Sequence, residues 1–385
     1  MKNKFNGNRF KEARLYNRLS ITELATKLGV TKQMVSKYEH NNGEPSFEKS
    51  LKLFEVLNYP REFFYTAENY EFKNQGTFFR SRLTATQKSK VPANYLVKYA
   101  VVVRDFLEEY IEFPKLQDRD KYEEEIDIEK VAKLVRKDLN LAQDPIDDIV
   151  EVAELLGIMV IQFKYDEEKI DAFSSMCTLN NKDYFVVVTG NKRSFYRQQF
   201  SIAHELGHWI LHKEYDPQEL NKEEYKLMEK EANNFAAALL LPEDEFKSDL
   251  EFNGISIDTF LKLKLKWNVS MAAMIERASQ LKLLSVDDKG KLYRKMNYRQ
   301  WRNPEPYDLE KEVTEPLAIS QALELLMEER IMTGYEFKNN LMNSYNLYIP
   351  QSILAEVCNV EEYIFNDSSK SNLNLKIKNF SSSKY

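Results

Sequence analysis

The sequence predicts a multidomain chain. An all-α domain comes first, an α+β domain with a small β-sheet follows, and the C-terminal region is mainly helical. Three observations predict this. Residues 7–65 form a tight series of short helical patterns, and residues 126–250 alternate between helical patterns and β-branched or aromatic runs. Residues 251–365 return to helical periodicity, broken by the loop RNPEPYD. A length of 385 residues leaves room for two or three domains. At 43% hydrophobic and 12% aromatic, the chain can build real cores, which excludes wholesale disorder. The divisions read from the sequence are 1–65, a linker and connecting helix over 66–125, the α+β domain over 126–285, a helical region over 286–365, and a disordered Ser/Asn/Lys-rich tail over 366–385.

Partners and compartment follow from charge and composition. Residues 1–65 carry 12 Lys+Arg against 7 Asp+Glu, a balance of +5 in a chain of net charge −6. A basic head on an acidic body points to a polyanion as the partner of the head. No run of eighteen apolar residues is present, and MKNKFNGNRF has no apolar h-region, so neither a membrane span nor a secretory signal is expected. Cys177 and Cys358 match no metal or redox spacing and are expected as reduced thiols in a cytoplasmic protein.

The head resolves into helices at SITELATKLGVTKQMVSKYE, residues 20–39. Ser20 is placed to N-cap one helix, with Glu23 at the capping-box position. Ile21, Leu24, Ala25 and Leu28 give that helix an apolar face, and Gly29 ends it. Thr31 is placed to cap the next helix, on which Val35 and Tyr38 are spaced to pack inward. Two short helices around a Gly-containing turn form the helix-turn-helix layout, whose second helix enters the DNA major groove. Use of the same layout for protein contact or dimerisation is the alternative.

Residues 66–125 hold an amphipathic stretch, NYLVKYAVVVRDFLEEYIEF, and then a charged run. In the next region IEKVAKLVRKDLN and DDIVEVAELLG read as helices, the second stopping at Gly157. IMVIQFK, AFSSMCTL and DYFVVVTG read as strands.

After them comes FSIAHELGHWILH, with His204-Glu205-Leu206-Gly207-His208 inside it. Two His at i and i+4 on a helix point to one side and can share one metal ion. Glu205 is rotated from that line and suits a general base for water held at a zinc site. The chain has four histidines, and three of them fall within residues 204–212, so incidental placement on an ordinary helix is the weaker reading. His212 continues the series about 12 Å along the axis from His204, too far for the same coordination sphere, and is read as structural or supporting. Gly207 inside a helix is destabilising relative to Ala, which a close approach by a neighbouring element would explain.

A third ligand is expected from MEKEANNFAAALLLP, which offers Glu229 and Glu231. They lie two positions apart and face nearly opposite ways, so only one can reach the metal. Glu231 shares a side with Phe235 and Ala238, and the pattern favours it; Glu229 shares a side with Asn233 and Ala236.

FYRQQFSIAHELGHWILH followed by EANNFAAALLLP resembles the ImmA/IrrE family of metallopeptidase-like proteins. The resemblance covers roughly residues 140–285. It implies a gluzincin-like fold, Zn2+ as cofactor, His204, His208 and Glu231 as ligands, and Glu205 as catalytic base. It also implies a role linked to stress responses and mobile elements, in which a partner repressor or antitoxin, itself a helix-turn-helix protein, is cut. Residues 7–65 resemble the Xre-type phage-repressor domain. That resemblance implies a double-stranded DNA operator, contacts from Thr31, Lys32, Gln33, Ser36 and Lys37, and action as a homodimer on paired half-sites. Ile21 stands where many relatives carry a Gln that positions the helix on the DNA backbone. Two functions therefore stand at this level. The first is a DNA-binding regulator that is also a zinc endopeptidase; the second is a transcription factor whose zinc domain senses or scaffolds without cutting.

Overall fold

The computed structural model describes residues 4–78, 87–122, 125, 127–163, 172–190, 194–213 and 220–367. The expected disordered tail thus lies outside the described residues except for its first two. The N-terminal helices are α1 (Gly7–Tyr16), α2 (Ile21–Leu28), α3 (Lys32–Glu39), α4 (Phe47–Leu57) and α5 (Arg61–Tyr65). Local capping explains several of these boundaries. Ser20 and Glu23 form a reciprocal capping box on α2, Gly29 ends it at φ 67°, and Thr31 accepts from the Met34 N–H to start α3. Leu24, Ala25, Leu28, Val35 and Tyr38 are buried, as their spacing predicts.

Residues 66–125 do more than link. They supply β1 (Phe72–Phe78) and the long helix α6 (Gln87–Leu107). The middle of the chain follows the expected order: α7 (Ile128–Asp138), α8 (Ile149–Leu155), β2 (Met159–Phe163), β3 (Ala172–Leu179), β4 (Lys182–Gly190), α9 (Phe195–Leu211) and α10 (Lys222–Leu240). Gly157, after α8, has φ 78°, and a Cβ there would lie 2.3 Å from the backbone of Lys115 and Leu116. Only glycine fits both that conformation and that approach. Helices α11 (Glu243–Asn253), α12 (Ile257–Trp267), α13 (Met271–Gln280), α14 (Val286–Tyr298), α15 (Ala318–Glu328), α16 (Gly334–Tyr345) and α17 (Gln351–Cys358) complete the described chain.

The sheet has the order β1-β3-β4-β2. β2 runs parallel to β4, whereas β3 is antiparallel to both β4 and β1. Alternate side chains go to opposite faces, so the sheet separates two apolar cores. Met159, Ile161, Val186 and Val188 join one core with α6, the N-terminal helices and α15–α17. Val160, Phe185 and Val187 join the other with α7–α14. This double burial explains why the β4 sequence is a continuous β-branched run. Residues 286–365 are accordingly divided, with α14 packed among α12 and α13 and α15–α17 covering the far face of the sheet. Among the described residues no helix is long and apolar enough to cross a membrane. Cys177 and Cys358 are free and buried.

Candidate functional site

Helix α9 lies between the sheet and α10, and its start is pinned by glutamines. Gln199 Oε1 accepts from the Ile149 N–H at 2.8 Å, and its Nε2 donates to Asp147 O at 2.9 Å. Gln198 exchanges two hydrogen bonds with the Thr314 backbone. The helix is thereby fixed both in rotation and along its axis. His204, Glu205, His208 and His212 are all buried.

The His pair converges as the spacing predicts, with His204 Nε2 3.0 Å from His208 Nε2. The third member is Glu229. Its Oε2 is 3.5 Å from His204 Nε2, and its Oε1 is 3.6 Å from His208 Nε2. These three side chains form a group able to hold a metal ion. Glu231, expected in that place, sits instead against His212, with Oε2 3.1 Å from His212 Nε2.

The reason is the line along which α9 and α10 touch. A Cβ on Gly207 would lie 3.1 Å from Ala232 Cα and 3.2 Å from Phe235 Cδ1, so the helices meet backbone to backbone at Gly207 and Ala232. At about 100° per residue, Glu229 is rotated about 60° from Ala232 and Glu231 about 100° the other way. Glu229 therefore looks along the contact toward His204 and His208, while Glu231 is carried around toward the end of α9. Gly207 is explained by the same approach.

The donor set suits a zinc ion. Ligand atoms at 2.0–2.1 Å in tetrahedral geometry stand about 3.3 Å apart, close to the separations here. Glu229 Oε1 is buried and, among the described residues, has only the His208 imidazole near it, at 3.6 Å, as suits an oxygen that shares a cation with that ring. Burial alone would raise the Glu229 carboxyl. Hydrogen bonding and charge from His204 and His208 outweigh it and hold the group well below the usual carboxylate range.

Two further contacts support the group. His208 Nδ1 lies 3.1 Å from His212 Nδ1, so Glu231, His212 and His208 form one chain leading to the pair. Burial and the neighbouring His208 push the His212 imidazole down to about 4, against the pull of Glu231, which makes it a neutral link at neutral pH. Ser174 of β3 donates from Oγ to Glu205 Oε2 at 2.5 Å. Sequence reasoning missed Ser174, since Ser174 and Ser175 look alike until the faces of the sheet are known. Toward the start of α9, a cleft of about 450 Å³ is lined by Arg197 and Ser201 of α9, Asn233 and Ala237 of α10, and residues of α13 and α14, but by no member of the group itself.

In the N-terminal domain Thr31, Lys32, Gln33 and Lys37 are exposed and Ser36 is half-buried. Gln33, Ser36 and Lys37 share one face of α3 at i, i+3 and i+4. The opposite face is anchored. Arg14 Nε donates to Glu39 Oε1 at 2.5 Å, a buried pair tying α1 to the end of α3. A helix held from behind, with polar and basic residues in front, is the arrangement that meets base edges and phosphates.

A family model described as an IrrE N-terminal-like domain matches residues 153–279, and one described as Helix-turn-helix matches residues 10–64. The first span contains Ser174, His204, Glu205, His208 and Glu229; the second contains α2 and α3. No curated protein matches the chain. The chain thus carries a segment similar to helix-turn-helix domains ahead of one similar to the IrrE N-terminal-like domain.

Proposed function

We propose that this protein is a DNA-binding transcriptional regulator whose IrrE-like domain is a zinc-dependent endopeptidase. Its substrate is a partner protein, a helix-turn-helix repressor or antitoxin, cut in the cytoplasm in response to stress. The observation that carries the reading is the convergence of His204, His208 and Glu229 beside a buried Glu205. In this reading His204, His208 and Glu229 hold the zinc ion, and Glu231 and His212 orient His208. Zinc bound there supplies a Lewis acid that polarises the scissile carbonyl and makes water acidic enough to lose a proton near neutral pH. Glu205 takes that proton and returns it to the leaving amine. Ser174 holds the Glu205 carboxylate through its Oε2. The cleft beside α9 and α10 receives a side chain of the substrate. Lys32, Gln33 and Lys37, with Thr31 and Ser36, place the chain on an operator, and a homodimer reads paired half-sites.

The test compares protein N-termini by mass spectrometry in cells carrying wild type or Glu205→Gln, with and without DNA-damage stress. New termini that require Glu205 are the expected result and name the substrate. Identical termini from both proteins, while the purified chain holds one zinc, would overturn the peptidase reading.

A further inference from the structure

The strand next to the candidate site already has a neighbour. β3 carries Ser174, which touches Glu205. One edge of β3 pairs with β4, and the other pairs antiparallel with β1. The pairing brings Phe72 opposite Leu179, Lys73 opposite Thr178, Thr77 opposite Ser175, and Phe78 opposite Ser174. β1 thus runs along β3 until its last residue faces the serine that holds the candidate base.

A polypeptide entering a buried site must satisfy its own backbone N–H and C=O groups. Addition as an extra strand does this, and β3 is the strand that leads to Ser174. We infer that the β3 edge is where an extended polypeptide substrate binds, antiparallel, and that this chain's own β1 holds that place and must leave before a substrate strand can enter. The inference rests on the peptidase reading and adds to it the form of the substrate and the element that excludes it.

Several features of β1 suit a strand that leaves. Its sequence, FKNQGTF, has apolar residues only at its two ends. Lys73, Asn74 and Gln75 are exposed, so these three residues add little buried apolar area, and Phe72 alone of the first four packs against the core. The register shifts between Asn74 and Gly76, which interrupts the ladder. Backbone pairing with β3 holds β1, together with side-chain hydrogen bonds from Gln75 to Thr178 and Asp183 and, just before the strand, a backbone hydrogen bond from Asn180 to Glu71. Such segments belong to the low-stability end of a structure. Tethered in the same chain, β1 still competes at an effective concentration in the millimolar range against a substrate in solution. It also follows α5 by a short stretch, so displacement of the DNA-binding domain would be felt at β1.

The test uses the full chain loaded with zinc, in a Glu205→Gln background so that no probe is cut. The probe is a fluorescein-labelled peptide of residues 70–78, YEFKNQGTF, read by anisotropy. Lys73→Pro, opposite Thr178 where the alternation of the β3 backbone points its pairing groups at β1, removes a ladder donor from β1 and is expected to bind the peptide at least about 10-fold more tightly than its parent. A second variant, Lys73→Cys with Thr178→Cys, joins two directly opposed positions, whose Cα spacing in an antiparallel pair suits a disulfide. Its oxidised form is expected to bind no peptide, with binding restored on reduction to the level of the parent. Equal affinity in Lys73→Pro and parent, or equal affinity in the oxidised and reduced forms, overturns the inference. Should Lys73→Pro fail to fold, the disulfide pair decides. None of these outcomes depends on hydrolysis, so loss of the peptidase reading would be seen separately, as termini that do not require Glu205.

Discussion

Glu229 and Glu231 are two residues apart on one helix, yet the structure gives them different places, and this separates their effects on zinc. Glu229 touches both His204 and His208; Glu231 reaches the pair only through His212. A structural zinc site with four protein ligands binds with about 10–16 kcal/mol, so one ligand is worth about 3 kcal/mol. Glu229→Ala is therefore expected to weaken zinc binding by a factor of about 100 or more. Glu231→Ala removes a partner of a partner, and changes at that distance typically weaken metal binding about 10-fold, at most about 100-fold. The measurement is competition with a chromogenic chelator at neutral pH, with circular dichroism to confirm folding. The order Glu229 well above Glu231 is the claim. Equal losses, or a larger loss at Glu231, would refute the placement of Glu229 and the argument from the Gly207–Ala232 contact together.

Four other changes follow from the same geometry. Gln33→Ala with Lys37→Ala removes two exposed side chains of α3 and is expected to weaken operator binding by about 100-fold, with zinc content unchanged in the same preparation; a gel shift and metal analysis check both. Ser174→Ala leaves Glu205 without its short hydrogen bond and is expected to lower kcat about 10-fold at unchanged zinc content, while Ser174→Thr retains a donor and most of the activity. Gly207→Val places branched carbon against Ala232 and Phe235, is expected to destabilise by about 1–3 kcal/mol and to reduce zinc affinity, and is read by thermal melting with and without zinc. Burial pushes the Cys177 thiol up to about 12 and raises the Cys358 thiol as well, so both are expected to resist a thiol reagent at pH 8 until the chain is unfolded.

Features set by local chemistry were legible in the sequence. The capping box at Ser20 and Glu23, Gly29 after α2, and the β-branched runs of β2 and β4 depend on near neighbours, and each stands where the pattern places it. So does the meeting of His204 and His208, which helix geometry alone imposes. What was not legible depends on distant partners. β1 lies in what reads as a linker, and it is a strand only because β3, about 100 residues later, pairs with it. Glu231 is favoured through Phe235 and Ala238; Phe235 does approach α9 at Gly207, but the backbones meet at Ala232, and that contact turns Glu229 rather than Glu231 toward the His pair. The signal that could have chosen Glu229 was present in Gly207. A glycine within a helix calls for a small partner, Ala232 is the first small residue of the facing helix, and Glu229 lies one turn before it. Ser174 carried no such signal.

The joint between the two functions has two parts of unequal strength. Glu12 of α1 accepts from Tyr99 at 2.6 Å and from Lys98 at 3.2 Å, both on α6, and Lys98 also pairs with Glu68 at 2.6 Å. Arg9 of α1 lies 3.3 Å from both Glu12 and Glu68. Arg9, Glu12, Lys98 and Tyr99 are all buried, and the apolar side of α6 shares a core with β4 and with α15–α17. Removing one member of such a buried set costs about 3–5 kcal/mol, because the others are left charged and without water. The DNA-binding helices are therefore fastened to the sheet through α6 rather than swinging on a flexible tether. β1 is the weaker connection, with three exposed polar residues at its centre and an interrupted ladder. A signal that opens the site by freeing β1 can do so with the α1–α6 cluster intact, which leaves the DNA-binding face where it was. Opening by rotation of the whole DNA-binding domain would have to break the buried cluster first. The first route leaves the buried cluster intact, and it predicts a protein that can admit a substrate strand while still bound to its operator.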